Sequence, residues 1–387
     1  MSMSQRFEVR PMAGRVSAHP PLIIERVDAI PVALPLRQPM KMAHEVITHA
    51  RNIVVRIVAA DSTLGWGEAA SAPTMTGDTL GGLVAAVRDH LAPRLIGRDA
   101  WDRPALVAML RAGLIGNTGA HSAIEMALLD LAGRKAGMPL IDLIGEPRRH
   151  AVAPMWLLGR DTLEEDVAEA AAKVRDGFRF FKLKVATKAP DQDVATTHAL
   201  RAALGPEMAL CADANCGFSC EEAWRYLEAT RTAKLLFLEQ PLAAADLAGL
   251  AALARMSPIP IGADEGIHAL HDIEAHARRG AGGVSLKLIK LGGFSAALEA
   301  AALCEQLRLE INVAAKVAES SIASAAVVHL ACALPRITWG VSLTHVYLAE
   351  DLVRTPQSLR DGRLVLPDAP GLGVDVDERQ IARLRVA

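Results

Sequence analysis

In the second half of this 387-residue chain, five consecutive apolar segments end on a charged residue, and those charges recur at nearly constant distance. From about Ala151 a short apolar segment is followed by an Ala- and Glu-rich segment, again and again. Strand candidates are Val152–Leu157, Phe178–Val185, Met208–Asp213, Leu235–Glu239, Ile259–Ala263, Val284–Lys287, Glu310–Val313 and Ile337–Val341. Helix candidates fill the gaps, among them Glu164–Arg175, Glu221–Thr230 and Ser295–Leu307. Eight strands alternating with seven helices predict a parallel barrel. A doubly wound open sheet is the competing arrangement. It is disfavoured because no Gly-rich phosphate loop follows the first strand, so no dinucleotide-binding residues are assigned.

The active site of such a barrel lies at the C-terminal ends of its strands. Strand two ends in Lys182-Leu183-Lys184, strand three in Asp213 with Asn215 just beyond, and strand four in Glu239. Strand five runs into Asp264-Glu265 and strand six into Lys287, with Lys290 three residues later. The steps from Asp213 to Glu239, Asp264 and Lys287 are 26, 25 and 23 residues, one strand–helix unit each. These groups therefore recur at one height. Three carboxylates there repel one another unless a cation joins them. All-oxygen ligands favour a hard ion, Mg2+ first and Mn2+ second. Lys182 and Lys184, two apart on a strand, point the same way, and Lys287 faces them across the barrel. A lysine is a poor base at neutral pH unless its pKa falls, and a second lysine and a cation both lower it. Two such bases can take a proton from one face of a substrate and return one to the other. The cation would bind the substrate carboxylate and stabilise the charge left when the α-proton departs.

Each residue alone has a plainer reading. A carboxylate at a strand end is commonly a helix N-cap, Lys182 and Lys184 could form the solvent face of an alternating strand, and Gly292-Gly293 can simply close a turn. Consecutive strands and constant spacing together are what argue for chemistry.

The first part of the chain reads differently. Strand character at Ile23–Leu34 and Asn52–Ala59 flanks a polar stretch, Lys41–His49. Helical patterns follow at Thr79–Leu95, Asp102–Arg111 and Ala120–Lys135, an α+β order. Beyond Val341 the chain is polar and Pro/Gly-rich. The resulting division is a loose tail over 1–20, an α+β domain over 21–147, a barrel over 148–345 and a C-terminal segment over 346–387. A net charge of −2 gives no strong attraction to nucleic acid or anionic membrane. No apolar run is long enough to span a bilayer, and no signal-like core stands near the start, so a cytoplasmic protein is expected. The five cysteines have neither disulfide nor zinc-site spacing and are expected to be reduced thiols.

Lys182-Leu183-Lys184, Asp213-Ala214-Asn215, Glu239-Gln240-Pro241, Ala263-Asp264-Glu265 and Lys287-Leu288-Ile289-Lys290-Leu291-Gly292-Gly293 together resemble the muconate lactonizing subgroup of the enolase superfamily. Gly65-Trp66-Gly67-Glu68, the segment Ser122–Asp130 and Pro370-Gly371-Leu372-Gly373 fit as well, so the likeness runs from Leu22 to the end. A lysine base with Mg2+ is a recurring pairing of that superfamily. The resemblance implies a (β/α)7β TIM-like barrel under an α+β N-terminal capping domain completed by the C-terminal segment. It implies metal on Asp213, Glu239 and Asp264, and Lys184 and Lys287 as the acid/base pair, with Lys182 assisting. Lys290 is the less favoured substitute for Lys287. Assembly as a dimer or octamer is also implied. The mandelate racemase type has a histidine after strand seven; Val313-Ala314-Ala315-Lys316 stands there, which rejects that type.

The subgroup includes cycloisomerases, dipeptide epimerases, N-acyl amino acid racemases and a dehydratase. Two cap loops, Lys41–His49 and Ser71–Asp78, are expected at the substrate, and Thr76-Gly77-Asp78 resembles the epimerases. Those carry Asp-x-Asp after strand eight, whereas this chain has Trp339-Gly340-Val341-Ser342-Leu343. Lys316 suits the remote carboxylate of a diacid such as muconate; its plainer role is to pair with Glu319. The expected substrate contacts are Asn215, Lys316, Glu319 and Thr76. The reading is a Mg2+-dependent isomerase, muconate-type cycloisomerase first, epimerase or racemase second. A non-catalytic binding protein on the same scaffold is the alternative of another class, which loss of a ligand or base would favour; none is lost.

Overall fold

The computed structural model describes residues 19–41 and 46–387. The expected tail over 1–20 thus lies outside the described residues up to position 18, as does the centre of the Lys41–His49 loop. His19 stacks on Trp101, whose indole N–H donates to the Pro20 carbonyl.

Three antiparallel strands open the fold: β1 (Ile24–Lys41), β2 (Val46–Ala59) and β3 (Leu64–Ala70). In the middle of β2, Ile53, Val55 and Ile57 face one core cluster and Val54 another, so this central strand is covered on both faces. The β1–β2 register breaks between Pro35 and Met40, where Leu36 instead bridges Leu348 of the C-terminal segment. The helix Thr118–Ala136 packs on this sheet and is buried almost throughout. Its backbone lies against β3 because Gly65 and Gly67 have no side chains; a Cβ on Gly67 would meet the Ala123 carbonyl at 2.0 Å. That close approach accounts for the Gly65-Trp66-Gly67-Glu68 motif. The expected helix at Thr79–Leu95 forms as one run with a π-helical middle, Ala86–Leu91.

Eight parallel strands close into a barrel: Pro154–Leu158, Phe180–Lys184, Ala209–Asp213, Leu238–Glu239, Ile261–Ala263, Gly283–Leu286, Glu310–Ala314 and Val341–Ser342. The first and eighth pair at Pro154 and Val341. Most strands differ from the sequence reading by one to three residues at an end, the fourth starting at Leu238 rather than Leu235, and two differ in more than length. The eighth strand forms later than Ile337–Val341. The first divides at Ala153, with Ala151–Val152 pairing antiparallel to Leu364–Val365 of the C-terminal segment. The helices Leu163–Arg175 and Cys220–Ala229 start on capping boxes, Thr162 with Glu165 and Ser219 with Glu222. After the barrel, Arg385 bridges back to Val32 of β1. Among the described residues no helix is long and apolar enough to cross a membrane.

Candidate active site

The strand register sets the site. Lys184 is paired with Asp213, and Asp213 with Glu239, on neighbouring strands. Asp264 follows the fifth strand directly and Lys287 the sixth. Lys290 lies in the short helix Leu288–Leu291, which turns its ammonium back toward Asp264. Gly292, with φ of 84°, ends that helix, so the glycine pair does close a turn. Asn215, Cys216 and Gln240 have φ of 42°, 65° and 35°, a strained left-handed backbone concentrated at these strand ends. Gln240 secures the next loop: its Oε1 accepts the Asp264 N–H at 2.8 Å and the Gly266 N–H at 3.2 Å.

All three carboxylates are buried, and each oxygen has a donor. Asp213 accepts Lys184 Nζ at 2.6 Å and the Asn215 N–H at 3.1 Å. Glu239 accepts Lys182 Nζ and the Ser285 hydroxyl. Asp264 accepts Lys287 on one oxygen and Lys290, at 2.7 Å, on the other. Burial alone would raise the Asp213 and Asp264 pKa values. The ammonium groups of Lys184 and Lys182, and of Lys287 and Lys290, reverse that and hold both below the ordinary range. Burial likewise acts to lower the lysines. It prevails at Lys290, but Glu239 and Asp213 raise Lys182, and Asp264 with Glu265 raises Lys287. At Lys287 the direction is upward because a buried carboxylate is its nearest neighbour.

As arranged, no three His, Cys, Asp or Glu side chains among the described residues stand as a ready-made metal site. The donor set nevertheless fits a hard divalent cation: three buried carboxylates at one barrel end, with oxygen donors only.

Lys182, Lys184, Asp213, Asn215, Asp264, Lys287 and Lys316 all line one cavity of about 120 Å³ between cap and barrel. Glu239 lies behind that wall, under Lys182. Thr76 and Glu319 are not among the residues that line this cavity. The Thr76 hydroxyl is spent inside its own turn, donating to Asp78 Oδ2 at 3.0 Å, and Thr74 and Met75 face the cavity instead. Met75 Sδ lies 3.7 Å from Lys287 Nζ. Glu319 accepts the Lys316 backbone N–H at 2.9 Å and packs behind it near Glu68; burial first, then the Glu68 charge, pushes it up to about 8.

Two cavity residues carry chemistry that the sequence reading left unassigned. Glu265 accepts the Asn215 amide at 2.9 Å on one oxygen, while its other oxygen is buried without a partner among the described residues. Burial, Asp264 and Asp213 push it up to about 7. The Ser342 hydroxyl, at the end of the eighth strand, also has no partner. The Ala263-Asp264-Glu265 motif held the signal for the first.

Leu157 and Lys184 also line a second chamber of about 750 Å³, bounded by the bulged part of β1, the first and second barrel strands, the helix Leu163–Arg175 and the chain from His345 to Leu359.

Comparison with known proteins agrees with this geometry. Residues 25–145 match the mandelate racemase / muconate lactonizing enzyme N-terminal domain, and residues 165–380 the enolase C-terminal domain-like family. Muconate cycloisomerase 1 of Pseudomonas putida is 32% identical over 378 residues, covering 94% of this chain and 98% of that protein. An L-Ala-D/L-Glu epimerase of Clostridium acetobutylicum is 30% identical over 358 residues, covering 92% and 99%. The solved structure of a Pseudomonas fluorescens muconate lactonizing enzyme complexed with muconolactone superposes with a TM-score of 0.91 at 31% identity, covering 95% of this chain and 100% of that one. Barrel, cap and whole-length similarity lead to one assignment: the chain belongs to the mandelate racemase / muconate lactonizing enzyme family of the enolase superfamily, and is an isomerase of that group.

Proposed function

We propose that the protein removes the α-proton of a small carboxylate substrate, with Lys184 and Lys287 as the acid/base pair and Lys182 assisting. The observation that carries this is the shared cavity wall: all three lysines line it beside Asp213 and Asp264. Lys184 and Lys287 come from the second strand and the end of the sixth, on different sides of the ring. One amine can take the proton from one face of the substrate while the other delivers a proton to the opposite face. Asp213, Glu239 and Asp264 would hold Mg2+, or Mn2+ in its place. A cation there supplies positive charge for the substrate carboxylate and for the charge that builds as the proton leaves. Asn215, whose Oδ1 accepts Lys184 Nζ at 2.8 Å, orients that amine. Glu319 fixes the Lys316 backbone, and Thr76 fixes the turn that presents Thr74 and Met75. We take the protein to act in the cytoplasm as a homodimer or homo-octamer.

For the overall reaction, muconate-type ring closure is the first reading. In that direction one carboxylate oxygen adds across the double bond, and a lysine ammonium delivers a proton to the α-carbon of the anion formed. The reverse direction is the α-proton removal. It is supported by the Pseudomonas relatives and by Lys316, a cation suited to a second carboxylate. Epimerisation or racemisation of an acylated amino acid is the second. The large chamber beside Lys184 favours it, since ring closure of a bare six-carbon diacid has no use for that space.

Lys184→Ala and Lys287→Ala, assayed with Mg2+, are each expected to lose at least about 100-fold in α-hydrogen/deuterium exchange and in lactone formation from cis,cis-muconate. Their unfolding midpoints should fall, since each leaves a buried carboxylate without its ammonium, while one cooperative transition remains. A fully active variant overturns the role given to that lysine. Inertness of the parent toward muconate removes the first reading.

A further inference from the structure

The chain from Lys287 to Gly293 is buried throughout, and it runs from a barrel strand to a point held by the cap. Lys287 heads the short helix Leu288–Leu291, and both Lys287 and Lys290 reach Asp264. Ile289, between them, joins the hydrophobic cluster of the cap that contains Ala120, Ala123 and Ile124 of the helix Thr118–Ala136. Arg111, in the cap helix Arg103–Gly113, donates to the Gly292 carbonyl at 3.3 Å.

Beyond the two glycines the helix Phe294–Leu307 begins. A helix start needs acceptors for its free N–H groups and favours negative charge. The N-cap here is Gly293, which has no side chain to offer. The acceptor comes from the cap instead. Glu125, 1% exposed, takes the Ser295 N–H at 3.2 and 3.3 Å on its two oxygens, and the Ser295 hydroxyl as well. Arg103 donates to Glu125 at 2.8 Å and to the Ser295 hydroxyl at 3.2 Å. A Cβ on Gly293 would stand 2.2 Å from Glu125 Oε2, so the carboxylate can come this close only to a glycine.

Lys184 is anchored differently. The Val185 N–H donates to the Asp213 carbonyl at 3.0 Å, and the Ala186 N–H to Asp193 at 2.7 Å, both groups of the barrel. One lysine of the pair is thus held by the barrel, and the other by a turn whose far end is fastened to the cap.

We propose that the cap places Lys287 relative to Lys184, with Glu125 as the positioning residue and Arg103 and Arg111 supporting it. Glu125 is not among the residues lining the catalytic cavity. It acts through Ser295 and the glycine pair on the backbone that carries Lys287. An amine moved by about 1 Å from its working position can lose roughly a hundredfold in rate. The inference rests on the two-lysine reading above, because its signature is which face of the substrate exchanges its proton.

The test follows α-hydrogen/deuterium exchange with Mg2+ on both enantiomers of N-acetyl-alanine and on the two α-hydrogens of muconolactone. Lys184→Ala and Lys287→Ala mark which hydrogen belongs to which lysine. Glu125→Gln is expected to slow the Lys287 face roughly 10- to 100-fold, through kcat rather than KM, and to leave the Lys184 face within about twofold. Ser295→Ala should show the same bias more weakly, and Ser295→Thr, which keeps the hydroxyl, should recover it. If Glu125→Gln fails to fold, the two Ser295 variants carry the comparison. Amide exchange read by mass spectrometry needs no substrate. In Glu125→Gln, residues 288–297 should exchange at least about tenfold faster, and residues 182–189 at the parent rate. Equal slowing of both faces would mean a cap that merely loosens, and overturns the proposal. Parent-like amide exchange over 288–297 overturns it as well. A parent protein that exchanges at neither face instead removes the two-lysine reading, and this inference with it.

Discussion

Glu319 shows how a residue read as a substrate contact can act from behind the wall. It is buried between Glu68 and the backbone of Lys316, and its pKa is pushed up to about 8. The folded state therefore binds its proton more tightly than the unfolded chain, where a glutamate titrates near 4.5. The stability this protonation contributes is fully present below that lower value and is lost as pH rises through about 8, at roughly 1.4 kcal/mol per pH unit between the two. Glu319→Gln keeps an acceptor for the Lys316 N–H but cannot ionise. Thermal unfolding from pH 5 to 9 is expected to fall less steeply in that variant than in the parent; parallel curves would refute the assignment. The sequence revealed placement wherever a side chain is held by a regular strand: Lys182, Lys184 and Asp213 share the cavity as their spacing implies. Thr76 is harder to place from sequence because a loop side chain goes where its local bonds take it, and Thr76 is captured by Asp78. The same limit hid the unpartnered oxygen of Glu265, which depends on what surrounds it in space.

At the scale of the element, the cap depends on contact between backbones. β3 and the helix Thr118–Ala136 approach so closely at Gly67 that a methyl group has no room. Gly67→Ala is expected to destabilise the protein by at least about 1–3 kcal/mol, the usual cost of overpacking, and urea unfolding at two wavelengths measures it. A loss within about 0.5 kcal/mol would show that the two elements can part freely. Eight strands and the helices between them were legible because period, caps and strand-end charges all agree. The division of the first strand was not, since Ala151–Val152 takes its partner from Leu364–Val365, more than two hundred residues away. The late start of the eighth strand has a similar origin: Trp339, before it, stacks on Phe237 at 4.0 Å and closes the floor of the barrel.

For the whole molecule, the cap, the barrel and the C-terminal segment meet around two connected spaces, and neither space is written in any single stretch of sequence. Arg37, Trp156, Lys184 and Gln357 border one chamber because four distant segments fold onto one another there. Composition gave class and charge, and spacing gave the ring of reactive groups. Only the closed structure joins that ring to the adjoining chamber.

The pairing of Asp213, Glu239 and Asp264 with lysines has a consequence for assembly. Asp213, Glu239 and Asp264 bring their counter-charges with them on Lys184, Lys182, Lys287 and Lys290. The chain is therefore a finished object before any ion arrives, and the ion is a tool it picks up rather than a pin that keeps it shut. Stripping divalent cations with EDTA should abolish turnover while leaving one cooperative unfolding transition, lowered only by the lost binding contribution, about 2.7 kcal/mol at a hundredfold excess over Kd. Disappearance of that transition in EDTA would mean that the lysines do not suffice. Adding Mg2+ back to the stripped protein should then restore turnover with no refolding step.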